Sequence, residues 1–163
     1  SVDICFLPHG NYQKLVVEEM KTKPKSGNIV TEDGEILGKH TGLFNYTIGQ
    51  RKGLGIAYKH PLYVIGFNGE RNEVIVGPNE RLFTNRMICK FYNFLDDTIH
   101  KELKAEGKIR YAANPSPCTA RILDDDTMEV IFDEPQRAIT PGQSVAFYNG
   151  TQLLGGAVID RVC

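Results

Sequence analysis

Leu62-Tyr-Val-Ile-Gly-Phe67 and Glu73-Val-Ile-Val-Gly77 are two short apolar runs separated by a turn that opens on Asn68-Gly69. Valine, isoleucine and aromatic side chains suit a pleated surface, and Asn-Gly is turn chemistry, so the segment reads as a β-hairpin. Upstream, Asn28-Ile-Val30, the Asp33-Gly34 turn and Ile36-Leu-Gly-Lys-His40 read as another. Further upstream, Asn11 is an N-cap, and Tyr12, Leu15, Val16 and Met20 recur at helical spacing. This predicts one short helix over 12–21, stopped before Pro24 because the residue preceding proline resists the α region.

Downstream, Pro78-Asn79-Glu80 reads as a boundary before a fresh set of strands at 87–94, 102–111, 117–123, 128–132, 144–148 and 152–159. Asp124-Asp-Asp126, Asp133-Glu-Pro135, Thr140-Pro-Gly142 and Asn149-Gly150 supply turns between them. Residues 105–108 also allow a helical turn, which leaves the count open by one strand. Short strands with regular turns suggest a small closed barrel or sandwich. The expected fold class is therefore mainly β, with a small central domain over 11–78 and an antiparallel β-barrel over 79–163.

Between the two hairpins lies Thr47-Ile-Gly-Gln-Arg-Lys-Gly-Leu-Gly-Ile56. Its three glycines permit positive φ or close approach of another backbone. Arg51 and Lys52 offer charge that phosphates accept, and Tyr46 and Tyr58 offer surfaces on which a base stacks. An ordinary glycine-rich loop with a solvated basic pair fits the same residues. Both readings stand at this point.

The totals exclude some partners. Lysine and arginine number 19 against 20 acidic residues, for a net charge of −1, so bulk positive charge does not draw this chain to nucleic acid. Phosphate binding must come from local clusters: Lys21, Lys23 and Lys25, Arg51-Lys52, or the basic residues between Lys101 and Arg110. No apolar run has the length of a membrane span, so no membrane partner is expected. Cys5, Cys89, Cys118 and Cys163 form no CxxC pair and have no histidine at ligand spacing. Such spacing suggests a reducing cytoplasm. The chain opens at Ser1, inside an apolar run, which reads as a piece of a longer protein.

Each candidate site residue has a plain structural reading beside the functional one. Cys5, between Ile4 and Phe6, is either a buried small hydrophobe or a sulfur nucleophile, and the latter needs thiolate character and access. In Lys108-Ile-Arg-Tyr111, alternation places Lys108 and Arg110 on one face and Ile109 and Tyr111 on the other. That is either the wet face of a strand or a phosphate contact beside a stacking surface. Gln143 follows Thr140-Pro-Gly142 as simple turn chemistry or as a contact at a strand mouth. Asp124-Asp-Asp126 reads as a solvated turn, with no metal expected. His40, His60 and His100 share no spacing that defines a catalytic set.

Taken together, the segments resemble the tRNA-specific 2-thiouridylases, which make 2-thiouridine at the anticodon wobble position. The resemblance rests on Asp3-Ile-Cys-Phe6, Gly27-Asn-Ile-Val30, Leu37-Gly-Lys-His40, Tyr46 through Ile56, Arg110-Tyr111, Pro117-Cys-Thr119, Leu123-Asp-Asp-Asp126, Phe132-Asp-Glu-Pro135, Thr140-Pro-Gly-Gln143, Phe147-Tyr-Asn-Gly150 and Leu154-Gly-Gly156. The family's N-terminal ATP-binding domain, with its second reactive cysteine, has no counterpart in this sequence. The resemblance therefore implies the end of a catalytic-domain segment over 1–10, a central domain, and a barrel similar to those of translation factors.

It also implies a chemistry. ATP adenylates the wobble uridine C2 oxygen, a sulfur-carrier protein loads Cys5 as a persulfide, and sulfur attacks C2 as AMP leaves. The outer sulfur attacks directly, or the other cysteine releases it as sulfide, the family's disulfide chemistry. On this resemblance Cys5 is catalytic, while Arg110, Tyr111 and Gln143, with Gln50, Arg51 and Lys52, contact the anticodon arm of tRNA. The ATP site lies outside this chain, and a monomer is expected. A non-catalytic RNA-binding barrel is the alternative reading. A tRNA methyltransferase ranks below it, because no glycine-rich strand-to-helix turn is present to seat S-adenosylmethionine.

Overall fold

The structure, a computed structural model, describes residues 24–96 and 101–163. The helix expected over 12–21, together with Cys5 and His100, lies outside the described residues. The chain divides between Asn79 and Glu80 into two compact units. No helix among the described residues is long and apolar enough to cross a membrane.

Unit 1 holds β1 (Gly27–Thr31), β2 (Ile36–His40), β3 (Tyr63–Asn68) and β4 (Glu73–Gly77) in the order β2-β1-β4-β3. Both expected hairpins form: β1 pairs with β2 and β3 with β4, each antiparallel. They join through their inner strands, and that pairing is parallel, with Asn28 opposite Glu73 and Val30 opposite Ile75. A parallel join needs a long crossover, here the chain from β2 through residues 41–62 to β3. The crossover packs on the sheet. Leu54 and Leu62 are buried with Ile29, Val64, Val74 and Val76 in one core.

One corner of this sheet is closed by a buried histidine. His40 is 1% exposed, and its Nδ1 accepts from the Gly42 N–H at 3.1 Å. Nδ1 is therefore unprotonated, and Nε2–H donates to the Asn72 carbonyl at 2.9 Å. Asn72 itself stands at φ 54, and its side chain donates to the carbonyls of Lys25 and Ser26 at 3.2 and 3.0 Å. The β3–β4 connection thus runs on to a left-handed Asn72 rather than closing on Asn68-Gly69 alone.

Unit 2 is a closed six-stranded barrel in which every pairing is antiparallel, in the order β10-β5-β8-β7-β6-β9. Its strands are β5 (Phe83–Phe94), β6 (Glu102–Lys108), β7 (Ser116–Ile122), β8 (Thr127–Arg137), β9 (Ser144–Asn149) and β10 (Gln152–Val162). Met87, Met128, Val130, Phe132, Phe147 and Ile159 fill the interior. Gly107 makes room for them, since a Cβ there would lie 2.8 Å from the Phe132 ring and 2.9 Å from Cys118 Sγ.

Three local expectations change. Residues 105–108 are strand, paired with β7 and β9. Asp133-Glu-Pro135 is not a turn, because β8 continues to Arg137. Thr84 faces Gln136 while Arg86 faces Ile131, so β8 bulges between them, where proline's missing N–H disturbs no ladder. Finally, β6 ends at Lys108, and Ile109 at 5% exposure does not share a face with Tyr111 at 91%.

Candidate nucleic-acid interface

At one place in the barrel the structure joins two of the stretches singled out in the sequence. After β6 the chain turns, with the Ala113 N–H donating to the Arg110 carbonyl at 3.2 Å. Arg110 Nη2 crosses to the β8–β9 connection, donating to the Ala138 carbonyl and to Thr140 Oγ1, the latter at 3.3 Å. Thr140 Oγ1 in turn donates to the Ala138 carbonyl at 3.0 Å. Gln143 closes the same connection, its N–H donating to the Thr140 carbonyl at 3.2 Å after Gly142 at φ 84. Burial lowers the Arg110 pKa, with the Arg137 charge a second cause.

What this arrangement offers outward is Tyr111 and Gln143, both exposed. Lys108 Nζ lies 5.7 Å from the Tyr111 ring centroid, so an aromatic face and a cation stand side by side. Arg110 Nη2 is bonded within the barrel, and so links the turn at Tyr111 to the 138–143 connection.

The second stretch lies in unit 1. The Gln50 side chain is engaged at both ends: Oε1 accepts from the Thr47 N–H at 3.0 Å, and Nε2 donates to the Lys52 carbonyl at 2.9 Å. Its backbone is tied to β3 by Gly49 N–H to the Val64 carbonyl and Val64 N–H to the Gln50 carbonyl, at 2.8 and 2.9 Å. Gln50 therefore shapes the loop. Arg51 and Lys52 are exposed, and neither enters an ion pair among the described residues. Arg51 lines a pocket that runs along the chain to Leu62, together with Tyr58, Lys59 and His60. Lys59 escaped the sequence reading, and His60 drew attention only for its lack of spacing partners. The signal was their adjacency to Tyr58.

Cys5 lies outside the described residues. Cys89 and Cys118 are buried, and burial raises their thiol pKa values to about 12 and about 11. They are core residues, unsuited to nucleophilic work. The acidic run is a capped turn: Asp124 Oδ1 accepts from the Asp126 and Thr127 N–H groups at 3.0 and 2.8 Å. Among the described residues no group of three or more His, Cys, Asp and Glu side chains could hold a metal ion.

Two family descriptions divide the chain almost as the fold does. Residues 14–78 match "tRNA methyl transferase PRC-barrel domain" and residues 84–159 match "Aminomethyltransferase beta-barrel domain". Over 162 residues, 99% of this chain, the sequence is 44% identical to tRNA-specific 2-thiouridylase MnmA of Clostridioides difficile (strain 630). It is 45% identical over 163 residues to MnmA 1 of Clostridium tetani (strain Massachusetts / E88), and 44% identical over 162 to MnmA of Carboxydothermus hydrogenoformans. The chain covers 45%, 45% and 44% of those three proteins. It belongs to the tRNA-specific 2-thiouridylase family and corresponds to the carboxy-terminal portion of its members.

Proposed function

We propose that this chain is the tRNA-docking and sulfur-carrying part of a tRNA uridine 2-sulfurtransferase. The observation that carries this reading is identity of 44–45% over 99% of the chain to proteins named for that activity. Cys5 takes a sulfane sulfur from the persulfide of a carrier protein, whose own sulfur leaves as a thiol. The Cys5 persulfide then serves as the sulfur source for C2 of a wobble uridine. A persulfide suits this work because its outer sulfur is largely deprotonated near neutral pH, as activated thiolates are. Tyr111 and Gln143 on the barrel, positioned by Arg110, hold the anticodon arm. So do Arg51 and Lys52, on the loop that Gln50 shapes.

ATP would activate the uridine oxygen in this reading, and its site is expected outside this chain. No step through ATP is assigned to the described residues.

In the full-length protein that carries this chain, Cys5→Ser is expected to abolish 2-thiouridine, measured by mass spectrometry of digested tRNA, with tRNA affinity unchanged. Normal thiolation by that variant would overturn the role of Cys5. It would favour the second reading, a non-catalytic RNA-binding module, which Tyr111, at 91% exposure beside Lys108, also serves.

A further inference from the structure

Residues 36–69 contain Lys39, Arg51, Lys52 and Lys59 and neither aspartate nor glutamate. This stretch is four charges positive, while the rest of a chain of net charge −1 is five negative. The near-neutral total therefore hides an uneven distribution of charge along the sequence. Part of the stretch folds into the pocket of unit 1 that runs from Arg51 to Leu62. Arg51, Lys59 and His60 line it, and no acidic side chain does.

Tyr58 is its flat surface, 36% exposed. The His60 ring meets the Tyr58 ring edge-on at 4.9 Å, and Lys59 Nζ lies 5.8 Å from the tyrosine centroid. Gly53 and Gly55 hold φ of 76 and 66, and a Cβ on Gly55 would meet nothing within 4 Å. These glycines answer a backbone requirement and leave the pocket open.

We propose that this pocket binds a single unstacked RNA nucleotide, with its phosphate at Arg51 and Lys59 and its base against Tyr58. His60 braces the tyrosine ring. The proposal deepens the docking reading above and rests on it, joining Lys59 and His60, which no motif marked, to Arg51 and Tyr58. A splayed nucleotide fits better than a duplex, because paired and stacked bases present no free face to an aromatic ring.

The test uses the whole chain and a fluorescein-labelled RNA hairpin with an unpaired loop, read by anisotropy across a salt series. Tyr58→Ala is expected to lose about tenfold in affinity, and Tyr58→Phe to retain it. Lys59→Ala is expected to flatten the log affinity against log salt slope by roughly 0.7. A fully paired RNA is expected to bind Tyr58→Ala and wild type alike. If wild type binds the hairpin and Tyr111→Ala weakens it, while Tyr58→Ala and Lys59→Ala bind normally, the pocket proposal falls and the docking reading stands. Equal losses on hairpin and duplex would overturn the base contact. If wild type fails to bind at low salt, the docking reading falls, and the pocket with it.

Discussion

Arg110 Nη2 donates to Thr140 Oγ1 at 3.3 Å, tying the turn that presents Tyr111 to the connection that ends at Gln143. Adjacent residues thus have separable jobs. Arg110→Ala removes hydrogen bonds to Ala138 and Thr140, at a cost of about 1–3 kcal/mol. For a domain of this size that corresponds to a drop of several degrees in the melting midpoint. Tyr111→Ala touches a side chain that is 91% exposed, so its midpoint is expected to stay at the wild-type value while RNA affinity falls. Thermal melts and RNA titrations on the same samples decide this. An unchanged midpoint for Arg110→Ala would remove its positioning role.

Gly27→Ala is expected to be among the most damaging single changes in unit 1. A Cβ there would collide with the Asn72 carbonyl and stand 2.5 Å from His40 Nε2. Backbone cannot swing aside as a flexible side chain can, so the histidine–asparagine corner must open. The cost is on the order of 3 kcal/mol, at the upper end for overpacking. Urea denaturation measures it. A loss below about 1 kcal/mol would mean that the corner has slack the packing does not show.

What the sequence disclosed follows the range of the interactions involved. Both hairpins of unit 1 were legible because alternation and turn residues lie within a dozen positions of each other. The parallel join of β1 to β4 was not, since Val30 and Ile75 meet only across the whole crossover. Pro135 read as a turn because proline ends most strands, whereas a bulge accommodates it in β8.

The candidate site divides in the same way. Both ends of the Gln50 amide are bonded within its own loop. No residue type announces that in advance. Lys59 and His60 carry no motif, and only the folded pocket sets them beside Arg51.

The two buried thiols make alkaline stability a measurable signature of the barrel. Burial raises Cys89 from 9.0 to about 12 and Cys118 from 9.0 to about 11. The folded state therefore keeps protons that the unfolded chain releases above pH 9. The stabilisation is complete below that pH and is lost as pH rises toward 11 and 12, by about 1.4 kcal/mol per pH unit for each thiol. Urea midpoints are expected to fall more steeply between pH 9 and 10.5 in the wild type than in a Cys89→Ala/Cys118→Ala double variant. In the folded protein at pH 8, a thiol reagent is expected to spare both and to label the exposed Cys163. Rapid native labelling of Cys118 would contradict the packing around Gly107.

Glu129 provides the last prediction, because it sits in a charge ladder that crosses four strands. Arg86 on β5 donates Nε to Glu129 Oε1 at 2.7 Å, and Arg121 on β7 approaches Oε2 at 3.9 Å. Arg121 also pairs with Glu102 on β6 at 3.1 Å. Glu129 is only 7% exposed, so its carboxylate has given up water and depends on these partners. Removing Arg86 leaves a nearly buried charge with only the longer Arg121 contact, whereas removing both partners leaves none uncompensated. Arg86→Met is therefore expected to cost on the order of 2 kcal/mol, and Arg86→Met/Glu129→Met no more than that. Urea midpoints of the two single variants and the double variant complete the cycle. Strictly additive losses would show that Arg86 and Glu129 stabilise the barrel independently, and the ladder would then be geometry without coupling.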